Sequence, residues 1–267
     1  MSLFRRKKKA NDEIFIASFN RSNATVTDSE LTEVFSEVGS RYGYADVKAK
    51  FKALKDFKVQ WQRSYKWAEF TVSDYMDRAP YDVLENLADV LFSKICGSDA
   101  RYGEAFIRYV TDGRIVRDNR NDYLRRSRGL SKTSIGEFHD LDDCVNRLRD
   151  EGLIPDDLEC VLKWDHSLSN KAAGCSVLQR VVTVNNSLDQ KGVPEHVLDY
   201  CVYSMMCYVF IGFDPQGDVE YEHQRLASRH PMESDAIAWL NGHGMYLRGR
   251  MFGNNLCIFS IPNISVN

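Results

Sequence analysis

Residues 193–211, VPEHVLDYCVYSMMCYVFI, predict a buried helix at the centre of the fold. Pro194 suits a first helical turn, Glu195 favours the positive end of the helix dipole, and Gly212 is a typical helix terminator. Apolar side chains follow on every side of this helix: Val197, Leu198, Cys201, Val202, Met205, Met206, Val209 and Phe210. A helix that is apolar all round is buried by the elements that pack around it.

The sequence on either side of this helix predicts an α+β fold. Residues 160–164 and 180–184 have strand composition, and the alternating residues 57–61 and 65–72 predict a hairpin that turns near Arg63. Apolar residues at helical spacing predict helices over residues 28–38, with Asp28 or Ser29 as the cap, and over residues 80–95, 102–111 and 140–149. We therefore expect a small mixed sheet that carries the buried central helix, with additional packing helices.

Length and composition predict one domain. The chain has 267 residues, of which 43% are hydrophobic and 12% aromatic, which is sufficient for one large core. Residues 1–12 are predicted to form a basic flexible arm, and residues 14–16 a short strand. The single domain is expected over residues 13–267, with a helix and hairpin lobe at about residues 13–150 and a second lobe at about residues 151–267.

Charge and cysteine content predict a soluble cytoplasmic protein. The formal net charge of −3 provides no global attraction to nucleic acid. The seven cysteines never occur as C-x-x-C, which indicates reduced thiols rather than a disulfide framework or a zinc ribbon. The most apolar run, residues 201–213, is too short to cross a bilayer, and residues 5–9 are basic without a following signal-peptide core. No membrane contact is expected.

Short motifs around the central helix are consistent with one protein family. Before it come FTVSDYM (70–76), AP (79–80), YLRRSR (123–128), HDL (139–141), VTVN (182–185) and LD (188–189); within it VPE (193–195), VLDY (197–200) and Tyr203; after it RL (225–226), HP (230–231) and DAIAWL (235–240). In this order the chain resembles the SprT-like and YgjP-like minimal zincins, in particular an archaeal group of predicted metal-dependent hydrolases. The resemblance covers most of residues 57–241. It implies a zincin-like fold whose former active-site lobe is the second one.

The resemblance also implies that the catalytic groups are lost. In the zincin motif H-E-x-x-H, two histidines bind zinc and the glutamate acts as general base. The corresponding positions are Ser204, Met205 and Tyr208, and the third ligand position falls on Val219. These side chains supply neither zinc ligands nor a base, and H-E-x-x-H occurs nowhere in the chain. We therefore expect no metal and no cofactor in a metallopeptidase-like pseudoenzyme that acts as a binding, scaffold or regulatory module for a protein or peptide.

A hydrolase with a relocated site is the main alternative. Cys201 and Cys207 each lie three residues from Ser204 on the helix, so a thiolate at either position faces the former metal site. His223, four residues after Val219, is the other weak candidate for a metal ligand or a nucleophilic pair. The competing interpretation is that the cysteines are small buried apolar residues and that His223 is a partly exposed helix residue.

The central helix leaves two hypotheses for the cleft at the former active site, which is either filled by side chains or open. Met205 and Met206 are adaptable fillers, so we expect a plugged, dry former site. The rival hypothesis is a cleft that accepts an extended peptide beside an edge strand, at Trp164 and the strand around Val182. Residues 251–267 are apolar enough to predict a docked strand, which bears on whether such a cleft is covered.

An arginine-rich segment supports nucleic-acid binding as a second alternative. It contains Arg108, Arg114, Arg117, Arg120, Arg125, Arg126 and Arg128, with Tyr109 and Tyr123 between them. Arginine next to aromatic residues is common in phosphate and single-strand contacts. Asp112, Asp118 and Asp122 lie in the same segment and favour an ordinary surface of solvated ion pairs.

Overall fold

The computed structural model describes residues 25–98 and 100–247, which form two compact units. The first runs to Tyr109 and the second begins at Val110. This division lies earlier in the chain than residue 150, where the sequence predicts the change of lobe. A single zincin-like domain over residues 13–267 stays a prediction. The predicted arm at residues 1–12, the strand at residues 14–16 and the tail at residues 251–267 lie outside the described residues.

The first unit is a three-stranded mixed sheet covered by helices. Its elements are α1 (Asp28–Arg41), β1 (Asp46–Lys52), β2 (Val59–Arg63), β3 (Trp67–Ser73), a 3-10 turn (Asp74–Met76), α2 (Tyr81–Ile95) and the start of α3 (Glu104–Thr111). The strand order is β1-β3-β2, with β1 parallel and β2 antiparallel to β3. The rings of Phe35 on α1 and Phe92 on α2 both pack on Phe70 of β3, with centroids 4.9 and 5.1 Å away. These contacts fix both helices on one face of the sheet.

The predicted helices and hairpin of the first unit are confirmed, with two corrections. The hairpin pairs β2 with β3 antiparallel, and α2 begins directly after Pro80. The cap of α1 is Thr27 rather than Asp28 or Ser29, because Thr27 and Glu30 form a reciprocal capping box. Strand β1 was not predicted, although its buried residues alternate with exposed lysines.

The second unit combines another three-stranded mixed sheet with five helices. Its elements are α4 (Gly113–Arg126), α5 (Leu141–Asp150), β4 (Val161–Asp165), β5 (Ala173–Ser176), β6 (Val181–Asn185), a 3-10 turn (Asn186–Leu188), α6 (Glu195–Ile211), α7 (Val219–Ala227) and α8 (Glu233–Gly242). The strand order is β4-β6-β5, with β4 parallel and β5 antiparallel to β6. The predicted α+β class is confirmed: the part of the chain that the structure describes has eight α-helices and two such sheets.

Helix α6 is the centre of the second unit, as predicted. It packs against α5, α7, α8 and strands β5 and β6, and Gly212 with φ of 77° ends it. Arg147 of α5 donates to Asp199 of α6 at 2.7 Å, which ties these two helices together. Phe210 is an exception to the predicted burial, since 54% of it is exposed. Across residues 25–98 and 100–247, no helix is both long and apolar enough to span a bilayer.

Asn185 holds the loop between β4 and β5 in place from the end of β6. Only 3% of Asn185 is exposed. Its side-chain N–H groups donate to the backbone carbonyls of Leu168, Ser169 and Lys171 at 2.9 to 3.0 Å, and its Oδ1 accepts from the N–H of Ser187 at 2.9 Å. Both the donor and the acceptor capacity of this amide are therefore used.

A second polar anchor fixes the loop before α5. The carboxylate of Asp189 accepts hydrogen bonds from the backbone N–H groups of Glu137, Phe138 and His139. The carboxylate lies so close to Gly136 that a Cβ there would be 2.3 Å from its Oδ2. Gly136 is thus required for close approach, in contrast to glycines that are required for a left-handed backbone.

Candidate functional site

A polar cluster lies on the α6 face that the family resemblance marks as the former metal site. Ser204 and Tyr208 are four residues apart, so helical geometry places them on one face of α6. His223 of α7 covers both: its Nε2 is 3.1 Å from Ser204 Oγ and 2.9 Å from the Ser204 carbonyl oxygen. Its ring stacks on that of Tyr208, with centroids 3.7 Å apart and planes 7° from parallel. Tyr208 donates its hydroxyl to Glu220 at 3.3 Å.

These contacts indicate which ring nitrogen of His223 carries a hydrogen. A carbonyl oxygen only accepts hydrogen bonds, so the short contact to Ser204 O requires a hydrogen on Nε2. The same N–H also faces the Ser204 hydroxyl. A nitrogen that carries a hydrogen neither accepts the serine proton nor binds a metal. The Ser204–His223 contact is therefore not the hydrogen bond of a nucleophile with its general base.

The residues at the positions that the family resemblance assigns to a metal site do not fit a zinc ion. The two histidine positions of the motif hold Ser204 and Tyr208, whose side chains offer only hydroxyl oxygens. Val219, the first residue of α7, is apolar. Met205 is 3% exposed and has no group that takes a proton from water. Within the described part of the chain, no group of three His, Cys, Asp or Glu side chains is arranged to hold a metal. These side chains supply neither the ligands nor the base that metal-assisted hydrolysis needs.

Cys207, the other weak candidate ligand, lies with different neighbours. It lines an apolar groove beside Tyr203, whose hydroxyl donates to the Leu226 carbonyl at 2.7 Å. Burial raises the pKa of the Cys207 thiol to about 12, so the thiol is protonated at neutral pH. Burial also raises the pKa of Cys201, which is fully buried. The interpretation of both cysteines as buried apolar residues is the one that these surroundings favour.

A concave, largely apolar groove lies beside Cys207 on α6. It has a volume of about 220 Å³ and lies between the loop after α5, the second half of α6 and the end of α7. We call it the α6 groove, and its lining includes Leu153, Leu158, Met206, Cys207, Phe210 and Arg229. The exposed ring of Phe210 forms part of its wall. A concave apolar site with a few polar groups is the usual form of a binding site for a small molecule.

Trp164 and Val182, where the rival hypothesis of a peptide cleft places its binding surface, both lie in the core of the second unit. Trp164 is 1% exposed, and its indole N–H donates to the Ser134 carbonyl at 2.8 Å, so its ring belongs to the core. Val182 lies on β6, which pairs with β4 on one side and with β5 on the other. A strand that is paired on both sides has no free edge for an added peptide.

The arginine-rich segment largely forms helix α4, which the sequence did not predict. Asp122 binds two of its arginines: Arg125 at 2.6 Å and Arg126 at 3.7 Å. The positions proposed as a binding surface are Arg117, Arg120, Arg125, Arg126 and Arg128, of which Arg120 and Arg126 are only partly exposed. Ion pairing and partial burial both reduce the positive field that this helix presents to a phosphate backbone.

No protein-family model, curated protein or solved structure matches this chain. The family resemblance therefore stays a prediction that rests on the motifs of the sequence. The α+β fold and the contacts of α6 rest on the structure.

Three features of this region were not predicted from the sequence. His223 contacts Ser204 across 19 residues of sequence, and this contact depends on the path of the loop between α6 and α7. Glu220 was not identified as the hydrogen-bond partner of Tyr208, and Arg229 was not identified as part of the groove lining. One signal was available: Glu220, His223 and Arg229 all follow Asp218, a typical helix cap, so they could have been placed on or after a helix packed on α6.

His230 gives the second unit a predicted pH dependence. It is 5% exposed, lies between the rings of Tyr200 and Tyr203, and accepts the Met232 N–H at its Nδ1. Burial lowers the pKa of His230 more than the nearby carboxylates, including that of Glu151, raise it. The unfolded chain therefore binds the proton more readily than the folded chain does. The stability that neutral His230 contributes is present above the ordinary histidine pKa of about 6.5 and is lost as the pH falls.

We expect the native chain to lose more unfolding free energy than a His230→Asn variant between about pH 7.5 and about pH 5. Urea unfolding of both chains at both pH values measures this difference, and the carboxylates shared by the two chains cancel in the comparison. His243→Asn, at an exposed histidine directly after α8, is the matched control and should keep the native pH dependence. Equal pH dependence in the native chain and the His230 variant would contradict the assignment.

Proposed function

We propose that this chain is a zincin-like protein without catalytic activity, and that it acts as a binding module for another molecule. One observation carries the proposal. The imidazole of His223 is bound to Ser204 and stacked on Tyr208, at the helix positions where the family resemblance places the two zinc-binding histidines. A mixed sheet with an antiparallel edge strand, packed on a buried helix, is compatible with such a fold.

The chemistry of this face supports the loss of catalysis. Zinc-dependent hydrolysis needs deprotonated ligands with free lone pairs, an open position for water and a base. Here Nε2 of His223 carries a hydrogen, Ser204 is 3% exposed, and Tyr208 is covered by the imidazole ring. A metal would have to displace these contacts and would still lack a base at Met205.

The two alternatives have less support. A relocated hydrolytic site at Cys207 needs a thiolate, but burial raises the pKa of this thiol to about 12. A nucleic-acid interface on α4 needs a strong positive field, but Asp122 pairs with Arg125 and Arg126. These ion pairs weaken the positive field of α4.

The zinc content of two chains tests the proposal. The native chain and a variant with Ser204→His, Met205→Glu, Tyr208→His and Val219→His are exposed to zinc, freed of loose ion by gel filtration and analysed for metal. We expect far less than one zinc per native chain. The variant should hold about one zinc, because the substitutions restore the three ligands that the family resemblance implies. Circular dichroism establishes that both chains are folded.

Each failure has a separate meaning. About one tightly held zinc per native chain, lost on Cys207→Ala or His223→Ala, would overturn the proposed loss of catalysis and favour a relocated metal site. A folded variant that holds no zinc would instead overturn the zincin-like arrangement of positions 204, 208 and 219.

A further inference from the structure

The α6 groove has room for a small ligand group. Its volume is about 220 Å³. An engineered apolar cavity of about 150 Å³ binds benzene in another protein. The α6 groove is larger and opens to solvent beside Phe210, so it has room for an aromatic ring or a short aliphatic chain with a polar end at the opening.

The lining determines which part of a ligand lies inside. Leu153, Ile154, Leu158, Met206 and Leu226 present apolar side chains to the groove. Burying apolar surface of a ligand against them is favourable at roughly 25 cal/mol per Å². The hydroxyl of Tyr203 is already used, because it donates to the Leu226 carbonyl. The inner part of the groove therefore selects an apolar group.

Arg229 determines which charge suits the ligand group at the opening of the α6 groove. It is the single charged residue in the groove lining, and its side chain is exposed. Among residues 25–98 and 100–247, no carboxylate forms an ion pair with Arg229. By contrast, the nearby Arg225 is paired with Glu222 at 2.8 Å. Arg229 lines the same groove as Tyr203 and Cys207. A guanidinium with five donors prefers a carboxylate.

We propose that the α6 groove binds a small molecule that has an apolar ring or short chain and one carboxylate, with Arg229 as its counter-ion. Binding is reversible, since the thiol of Cys207 in the groove lining is protonated at neutral pH. The inference deepens the proposed function and rests on it for the role of a binding module. The α6 groove and the Ser204–His223–Tyr208 cluster have no lining residue in common.

Calorimetric titration of the full chain with three probes tests the ligand class. The probes are hydrocinnamate, its neutral amide and acetate. We expect one hydrocinnamate per chain, about fivefold weaker binding of the amide because an exposed ion pair contributes up to about 1 kcal/mol, and no binding of acetate. Equal affinity of the acid and the amide would overturn the carboxylate, and no binding of either would overturn the site.

Three variants locate the binding. Arg229→Gln should make the acid and the amide bind equally, whereas the matched control Arg225→Gln should keep the fivefold difference, because Arg225 does not line the groove. Leu158→Trp fills the groove from a partly exposed position and should weaken the acid and the amide at least about tenfold. An unchanged affinity in Leu158→Trp would contradict the location.

A spectroscopic readout shows the site directly. With methyl-labelled methionine, hydrocinnamate should shift the NMR signal of Met206, which lines the groove, and leave Met76 of the first unit unchanged. Met206→Leu assigns the signal. A shift of Met76 with no shift of Met206 would overturn the site. Zinc in the native chain would overturn the proposed function without changing these titrations, so the two failures are distinguishable.

Discussion

Replacing Asn185 by aspartate is expected to remove about 3 kcal/mol of unfolding free energy from the second unit at neutral pH. The side-chain amide donates to three carbonyl oxygens, those of Leu168, Ser169 and Lys171. Aspartate has the same shape but places an anionic acceptor against these three acceptors. The loop between β4 and β5 then loses its anchor, and a buried charge lacks donors apart from the Ser187 N–H.

Urea unfolding followed by circular dichroism measures this effect. Asn186→Asp, at the next and more exposed residue, is the matched control and should change the unfolding free energy by less than about 0.5 kcal/mol. The new carboxyl should have a raised pKa in the folded state, because only its protonated form donates to a carbonyl. The Asn185→Asp chain should therefore regain stability relative to the native chain as the pH falls towards 4, and a constant difference would contradict the hydrogen-bond assignment.

The second large effect is expected for Gly136→Ala, at about 2 kcal/mol. The added Cβ would lie 2.3 Å from Oδ2 of Asp189, which is far inside van der Waals contact. The carboxylate has to move away from the N–H groups of Glu137, Phe138 and His139, and these charge-assisted hydrogen bonds are lost or lengthened. Gly192→Ala is the matched control, since its Cβ meets nothing within 4 Å.

A double-mutant cycle separates this clash from a general effect of alanine. Asp189→Gly alone should destabilise the chain, because three backbone N–H groups lose their acceptor. Once the carboxylate is absent, adding Gly136→Ala should cost less than about 0.5 kcal/mol further. Additive effects of the two substitutions in urea unfolding would show that the carboxylate is not what excludes a side chain at position 136.

The sequence predicts elements with a strong local pattern. Helix α6 combines apolar residues, an initial proline and a terminal glycine, and its ends agree with the structure to about one residue. Strand β5 (AGCS) was missed because it has four residues and none is β-branched or aromatic. Helix α4 was missed because its charged residues conceal the spacing of Val116 and Tyr123, its two buried side chains.

The candidate site is less predictable because its contacts cross long stretches of sequence. Lost zinc ligands at Ser204 and Tyr208 can be inferred from the motif, but their contact with His223 depends on how α7 packs on α6. Exposure of Phe210 likewise depends on which side of α6 is left uncovered, and hydrophobicity alone predicts burial. The groove and its Arg229 depend on the same packing.

The outer edge of β4 has a consequence for the behaviour of the protein in concentrated solution. An uncovered strand edge is a template on which a second molecule can polymerise. Residues on the segment before β4 cover this one: the Ser131 N–H donates to the Trp164 carbonyl, and the His166 N–H donates to the Gly129 carbonyl. The C-terminal end of the β4 edge is therefore protected against intermolecular strand addition and the fibrous aggregation that follows from it.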